Sequence, residues 1–250
     1  DIIIRIERAL DLDSEGQMVA SILSKKIAAG SNHIVIEIPL GKTAKVRDSE
    51  MAEILKNYLE KIGKNLNIKV KVLLTDGSQP VGRGIGPALE ARDFLAVLKN
   101  EANAPQDLRN RALMLAGEVL EFSPEIKHGS GKIIAEEILN SGKAWQKFQA
   151  ICAAQAGMKE IPQAKYIHQC LAEKDGTISA IDNRRIAMIA KLAGAPLDKT
   201  AGVDLFVKVR KEIRKNDALF AIHTASKETL EYALDYFNEN SDLIQIEERK

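Results

Sequence analysis

Ile34-Val35-Ile36-Glu37-Ile38, closed by Pro39 and Gly41, is a β-branched run of the kind that forms a buried strand. Ile68 to Leu74 has the same character. Between them, Asp48 and Ser49 open a helix that carries Met51, Ile54, Leu55, Tyr58, Leu59 and Ile62 on one side. Ahead of the first strand, Asp13 or Ser14 caps a helix that runs to Ala29 and stops at Gly30. Its apolar stripe is Met18, Val19, Ile22, Leu23 and Ile27, with Gln17, Ser21, Ser24, Lys25 and Ala28 on the other side. Strand, helix, strand, helix predicts an α/β fold with a largely parallel sheet flanked by helices. The right-handed crossover makes the two strands parallel neighbours.

Past the second strand lies a turn-forming run, Thr75 to Pro87, with glycines at 77, 82, 84 and 86. From Ala88 to about Gly157 the periodicity is helical, in segments 88–99, 105–122, 130–141 and 144–156 broken by Pro105, Pro124, Gly129 and Gly142. A polar stretch from Glu160 to Lys165 reads as a linker. Strands near 177–181, 203–209, 217–223 and 243–247, with helices at 182–193 and 226–239, then make a C-terminal α+β domain. The boundaries are 1–29, a remnant of a helical domain; 30–158, an α/β domain with a helical extension; and 159–250, the α+β domain.

Composition excludes several classes. The 250 residues carry a net charge of +1 and 45% hydrophobic residues, so no basic excess points to nucleic acid. No apolar run reaches the ~18 residues of a membrane span. Cys152 and Cys170, far apart and outside any Cys-x-x-Cys pair, read as unpaired thiols in a reducing, cytoplasmic compartment. Asp1-Ile2-Ile3-Ile4-Arg5-Ile6 reads as a strand already under way, without Met or signal pattern, as in a fragment of a longer chain.

Ser21 and Lys25, at i and i+4, project from one side of their helix. The ammonium brings three donors and the hydroxyl a donor and an acceptor, a set able to grip a pyrimidine carbonyl and ring nitrogen. Taken alone, the pair reads as a solvated helix face. Gly82-x-Gly84-x-Gly86 lacks dinucleotide spacing, and Pro87 interrupts it. Gly41-Lys42-Thr43 fails as a P-loop, because the earlier glycine is missing and no helix follows at once. His33, His128, His168 and His223 have no metal spacing and read as satisfied or solvated imidazoles.

The stretch Val19-Ala20-Ser21-Ile22-Leu23-Ser24-Lys25-Lys26, taken with Asp76-Gly77-Ser78-Gln79-Pro80-Val81-Gly82, resembles the thymidine and pyrimidine-nucleoside phosphorylases, in the branch that includes AMP phosphorylases. The likeness runs over nearly the whole chain. It implies phosphorolysis of a pyrimidine (deoxy)nucleoside to free base and (deoxy)ribose 1-phosphate, with phosphate as co-substrate, no cofactor, and a homodimer built through the helical domain. By the same resemblance Ser21, Lys25 and an arginine contact the base; Arg5 fits with a one-residue length difference, and Arg8 less well. Some bacterial relatives bind potassium at positions matching Val81, Gly84 and Asp93. The family's Lys-His-Ser and glycine-rich phosphate segment has no counterpart and is expected upstream. Gly41-Lys42-Thr43-Ala44-Lys45 is closer to the AMP phosphorylase pattern, which makes release of adenine and ribose 1,5-bisphosphate the alternative. An anthranilate-type phosphoribosyltransferase would need its own upstream glycine-rich loop, and a non-catalytic scaffold or partner-binding piece is the reading outside enzymology. The C-terminal strands resemble half of a lipoyl-type barrel but lack its Met-Lys-Met hairpin.

Overall fold

The computed structural model describes residues 15–248; Arg5, Arg8 and the proposed caps Asp13 and Ser14 lie outside them. Helix α1 (Glu15–Ala28) ends as expected, with Gly30 left-handed at φ 75° and the amides of Gly30 and Ser31 returning to Ile27 O and Lys26 O. Strands β1 (His33–Leu40) and β2 (Lys69–Asp76) are parallel in unbroken register, from His33 opposite Lys69 to Leu40 opposite Asp76. Helix α2 (Ser49–Asn65) makes the crossover, and the Asp48 carboxylate accepts from the Met51 amide at 2.7 Å.

The pleat sorts β1 into two chemistries. Ile34, Ile36 and Ile38 face a core shared with Val19, Leu23, Leu55, Leu59 and Val72. Glu37 points to the opposite face and accepts from Thr75 Oγ1 at 2.7 Å. Helix α1 packs on this core through Val19 and Leu23, each 2% exposed, while Ile27 of the same helix is exposed. The buried stripe of α2 is also turned from the expected one. Ala52, Leu55, Leu59 and Gly63 are inside, while Ile54, Tyr58 and Ile62 are exposed. Gly63 accounts for this, because a Cβ there would lie 2.4 Å from Val70 Cγ2; the helix brings its smallest residues against the strands.

A two-residue strand, β3 (Gly84–Ile85), follows the glycine-rich turn. Four helices come next: α3 (Pro87–Leu98), α4 (Gln106–Leu120), α5 (Gly131–Asn140) and α6 (Lys143–Ala154), close to the predicted segments. They pack on Ala96, Val97, Leu113, Ala135 and Leu139. Helix α4 also closes the polar face of the β1–β2 pair. Arg111 binds Glu37, Thr75 Oγ1 (2.9 Å) and the Asp76 carbonyl (2.9 Å), and Glu118 pairs with Lys71.

The C-terminal unit comprises β4 (Tyr166–Leu171), β5 (Gly176–Ile181), α7 (Asn183–Leu192), β6 (Gly202–Leu205), β7 (Glu212–Ile213), β8 (Ala218–Thr224), α8 (Lys227–Glu239) and β9 (Ile244–Glu247). One sheet has the order β3-β6-β8-β4 and the other β7-β5-β9, and every pairing in both is antiparallel. Among the described residues, parallel pairing is therefore confined to β1 and β2 and an isolated bridge between Leu40 and Val46. The expected strand over 203–209 stops at Leu205, and residues 206–208 run on irregularly to a turn at 209–210. Residues 160–165 are irregular as predicted, but β4 follows them directly. Phe220, Ile178, Ile186, Ile189, Val203 and Ile222 form the core of this unit. Since β3 belongs to its first sheet, strand pairing crosses the boundary drawn at 158/159.

Candidate active site

In an α/β layer, ligands bind beyond the carboxyl ends of parallel strands, where connecting loops converge. Here those loops are 41–46 after β1 and 77–83 after β2. They touch: a Cβ on Gly41 would lie 2.4 Å from the Gly77 carbonyl, and the Gly77 amide donates to Leu40 O at 2.6 Å. Only glycine allows that approach at 41.

The C-terminal unit holds both loops through the first turn of α7. The Asn183 amide donates to Thr43 Oγ1 (3.3 Å), and its side-chain Nδ2 donates to the Gly77 carbonyl (2.9 Å). Arg184 donates through Nε to Thr43 O and through Nη2 to Ala44 O, at 3.2 and 3.3 Å. Below this latch is a cavity of about 370 Å³. Met18 and Ile22 of α1, Ile36, Leu55, Gly77 and Asn183 are among the residues lining it.

The expected division of α1 into an apolar stripe and a Ser21–Lys25 side is corrected: Val19 and Leu23 form the buried side, and Met18, Ser21, Ile22 and Lys25, spaced i, i+3, i+4 and i+7, share one flank, so the pair lies beside two residues that line the cavity. Ser21 is half-buried and Lys25 exposed. The structure thus places Ser21 and Lys25 together; Arg5 lies outside the described residues.

The glycine-rich loop is fastened by buried charge. Asp93, 2% exposed, accepts on Oδ2 from the amides of Arg83 (2.6 Å) and Gly84 (2.7 Å), and on Oδ1 from Arg92 Nε (3.1 Å) and Nη2 (2.8 Å). Arg92 also makes a fork to Asp204 on β6 at 2.6 and 2.7 Å. That hydrogen-bonded pairing holds the guanidinium pKa above its ordinary value despite burial. A carboxylate offers about four lone-pair directions, and four N–H donors take those of Asp93. In this arrangement its oxygens do not fit a potassium ion at Val81, Gly84 and Asp93. No cluster of three or more His, Cys, Asp or Glu residues suited to a metal occurs among the described residues.

Lys208 completes the fastening. Its ammonium donates to Pro80 O (2.7 Å), Gly82 O (2.6 Å) and Asp107 Oδ2 (2.7 Å), which uses all three protons. Beside it, the Val209 amide donates to Gln79 Oε1 at 2.8 Å. Burial works against ionised Asp107, but the Lys208 hydrogen bond and charge, with amides of Leu108 and Gly82, hold its pKa below the ordinary aspartate value. A depressed folded pKa contributes stability that is complete above the unfolded value and is lost as pH falls through the folded one. The Gly82 and Val209 amide resonances are therefore expected to stay constant down to about pH 4 and to shift together below it. Shifts that move at or above the ordinary aspartate range would contradict this tether.

The histidines have local roles. His33 stacks edge-on against Phe122, His128 pairs with Glu121, and His168 is exposed. Half-buried His223 is held below the ordinary imidazole pKa, chiefly by burial. Cys152 and Cys170 are free, and burial pushes the Cys170 thiol up to about 12, which makes it a poor nucleophile. Lys127-His128-Gly129-Ser130-Gly131 has the residue types of a phosphate loop that the sequence analysis found missing. The Glu121 carboxylate already accepts the amides of Gly129 (2.9 Å) and Gly131 (3.2 Å), so a side chain takes the place an anion would occupy.

Residues 177–243 match the pyrimidine nucleoside phosphorylase C-terminal domain. Over 248 residues the chain is 55% identical to a Legionella pneumophila (strain Corby) protein named "Putative thymidine phosphorylase", covering 99% of this chain and 48% of that one. Proteins of the same name from Hahella chejuensis and Parvibaculum lavamentivorans are 53% and 51% identical, each over 99% of this chain and 49% of their own length. The chain is thus similar to these proteins over nearly all of its own length, and to the pyrimidine nucleoside phosphorylase C-terminal domain over residues 177–243. It spans about half the length of the curated relatives it matches. No described helix is long and apolar enough to cross a membrane.

Proposed function

We propose that this chain supplies the base-side half of a cytoplasmic nucleoside phosphorylase. Phosphate attacks C1′ of a pyrimidine (deoxy)nucleoside, the C1′–N bond breaks, and free base and (deoxy)ribose 1-phosphate result. Arg5, Ser21 and Lys25 stabilise the negative charge that grows on the departing base, a preorganised electrostatic contribution of the kind that dominates many enzymes. Phosphate is a co-substrate held by residues outside this chain, and the group transfer needs no redox cofactor. The partner is a second copy of the complete protein, joined through its helical part.

The observation that supports this reading best is the shared flank of Met18, Ser21, Ile22 and Lys25, which runs from the cavity at the strand ends to the ammonium. A second reading, AMP phosphorolysis to adenine and ribose 1,5-bisphosphate, draws on the loop Gly41-Lys42-Thr43-Ala44-Lys45, where Lys42 and Lys45 are exposed. Assaying thymidine, uridine and AMP with phosphate tests both. A full-length protein containing this chain is expected to consume thymidine or uridine with stoichiometric release of base, and the 250-residue chain alone to release none. Turnover of AMP alone would install the second reading. No phosphorolysis of any of the three by the full-length protein would remove both.

A further inference from the structure

An open sheet edge is a template for a further strand, and folded proteins blunt such edges with charged residues, proline or very short strands. Most of the described edges are blunted in that way. β1 carries Pro39, β2 carries Lys69 and Lys71, β3 and β7 have two residues each, and β9 ends on Glu247. β4 is the exception. It is an edge strand of six residues, Tyr166–Leu171, with β8 on one side and no strand on the other among the described residues. It contains no Lys, Arg, Asp, Glu or Pro, and the shift in its pairing lies at its end, between Cys170 and Leu171. Ile167 and Leu171 are 60% and 43% exposed. A strand of this kind invites pairing with another chain.

The residues around β4 indicate which chain. Lys165, Ile167, Gln169, Leu171 and Glu173 alternate along it and are all exposed. Turned about a two-fold axis at Gln169, this stretch is complementary to itself. In antiparallel register Lys165 falls opposite Glu173, Ile167 opposite Leu171, and Gln169 opposite its own copy. Opposite charges at both ends and apolar pairs inside them are the cross-strand contacts that stabilise a ladder. A slip of one residue sets Lys165 opposite Ala172 and Ile167 opposite Cys170, both buried in their own chain, and loses every one of these pairs. We propose that β4 is a self-association edge: two copies of this chain join β4 to β4, antiparallel about Gln169, so that their four-stranded sheets become one continuous sheet. The inference does not depend on the phosphorylase reading, and this interface is separate from the helical part through which that reading joins two copies. One strand pair lies at the small end of specific interfaces, so a micromolar dissociation constant is expected.

The test measures the mass of the 250-residue chain by light scattering from micromolar to millimolar concentration, where a monomer–dimer equilibrium is expected. Lys165→Glu and Glu173→Lys each set like charges opposite each other at both ends, and each should weaken the dimer about tenfold. The double variant restores opposite charges and should recover the wild-type affinity, which a damaged fold would not do. Ile167→Lys puts a charge on the open edge and should leave a monomer. These side chains are exposed, so the circular dichroism spectrum should not change. A disulfide reports the register. In a Cys152→Ser background, with Cys170 buried, Gln169→Cys should give a covalent dimer on mild oxidation, because the two copies face each other within reach. Leu197→Cys, at a position 93% exposed and away from β4, should not.

A monomer at every concentration would overturn the inference. A dimer that survives Ile167→Lys, or a double charge variant no tighter than the single ones, would overturn it too, because the contact would then lie elsewhere. Gln169→Cys should also link two copies of a full-length protein that contains this chain. No covalent dimer there would mean that the rest of that protein covers β4, and the inference would fall.

Discussion

Asp93→Ala is expected to cost about 3–5 kcal/mol of unfolding free energy, the range for removing one partner from a buried ionic network. The carboxylate is 2% exposed, and its loss leaves the amides of Arg83 and Gly84 without acceptors. Arg92 keeps its fork to Asp204, so the guanidinium is not abandoned and the cost should not exceed that range. Asp93→Asn should cost less than the alanine. Its carbonyl can replace Oδ2 and keep both amides, but its NH2 then faces Arg92. Urea unfolding monitored by circular dichroism checks the order alanine, asparagine, wild type. A loss below about 1 kcal/mol for the alanine would mean that the loop is held by Lys208 without help from Asp93.

The second large effect is on turnover. In a full-length protein that contains this chain, Lys25→Ala is expected to lower turnover by about two to three orders of magnitude, from losing roughly 2.7–4 kcal/mol of transition-state stabilisation. The contact strengthens as the base acquires charge, so the loss should appear in kcat more than in KM. Lys25 is exposed, on the side of α1 away from Val19 and Leu23, so the melting temperature should change little. Lys26→Ala is the control. Its side chain lies one residue further round the helix, and it should retain near-normal turnover. Equal losses from the two variants, or normal turnover in Lys25→Ala, would put the base on another side of this helix.

The fold was legible where structure is local. Ile34 to Ile38 and Ile68 to Leu74 announced themselves by β-branching, and Asp48 by its capping chemistry. Strand β3 was not legible, since Gly84-Ile85 becomes a strand only because β6, far along the chain, pairs with it. In β4 only Cys170 is buried, so Tyr166 to Leu171 lacks the alternation that marks a strand facing a core. The stripe on α2 was misplaced because its position is set by the close approach of Gly63 to Val70, which hydrophobicity does not encode.

The site divides the same way. Ser21 and Lys25 could be named because one helix spaces them, and their resemblance to a family supplied a role. Asn183, Arg184 and Lys208 could not be named from sequence, because their partners Thr43, Gly77, Gly82 and Asp107 are distant along the chain. Lys208 fell within the strand expected over 203–209; β6 ends at Leu205 instead, and the ammonium reaches the glycine-rich loop.

Lys208 is synthesised well after its three acceptors, which lie more than 100 residues earlier in the chain. A nascent chain that has emerged only as far as the helices therefore carries a glycine-rich loop with two carbonyls and a carboxylate turned toward an absent cation. The same interdependence bears on chimeras: one that keeps residues 79–83 and Asp107 but replaces Lys208 with a residue lacking an ammonium leaves two carbonyls and a carboxylate without their shared donor.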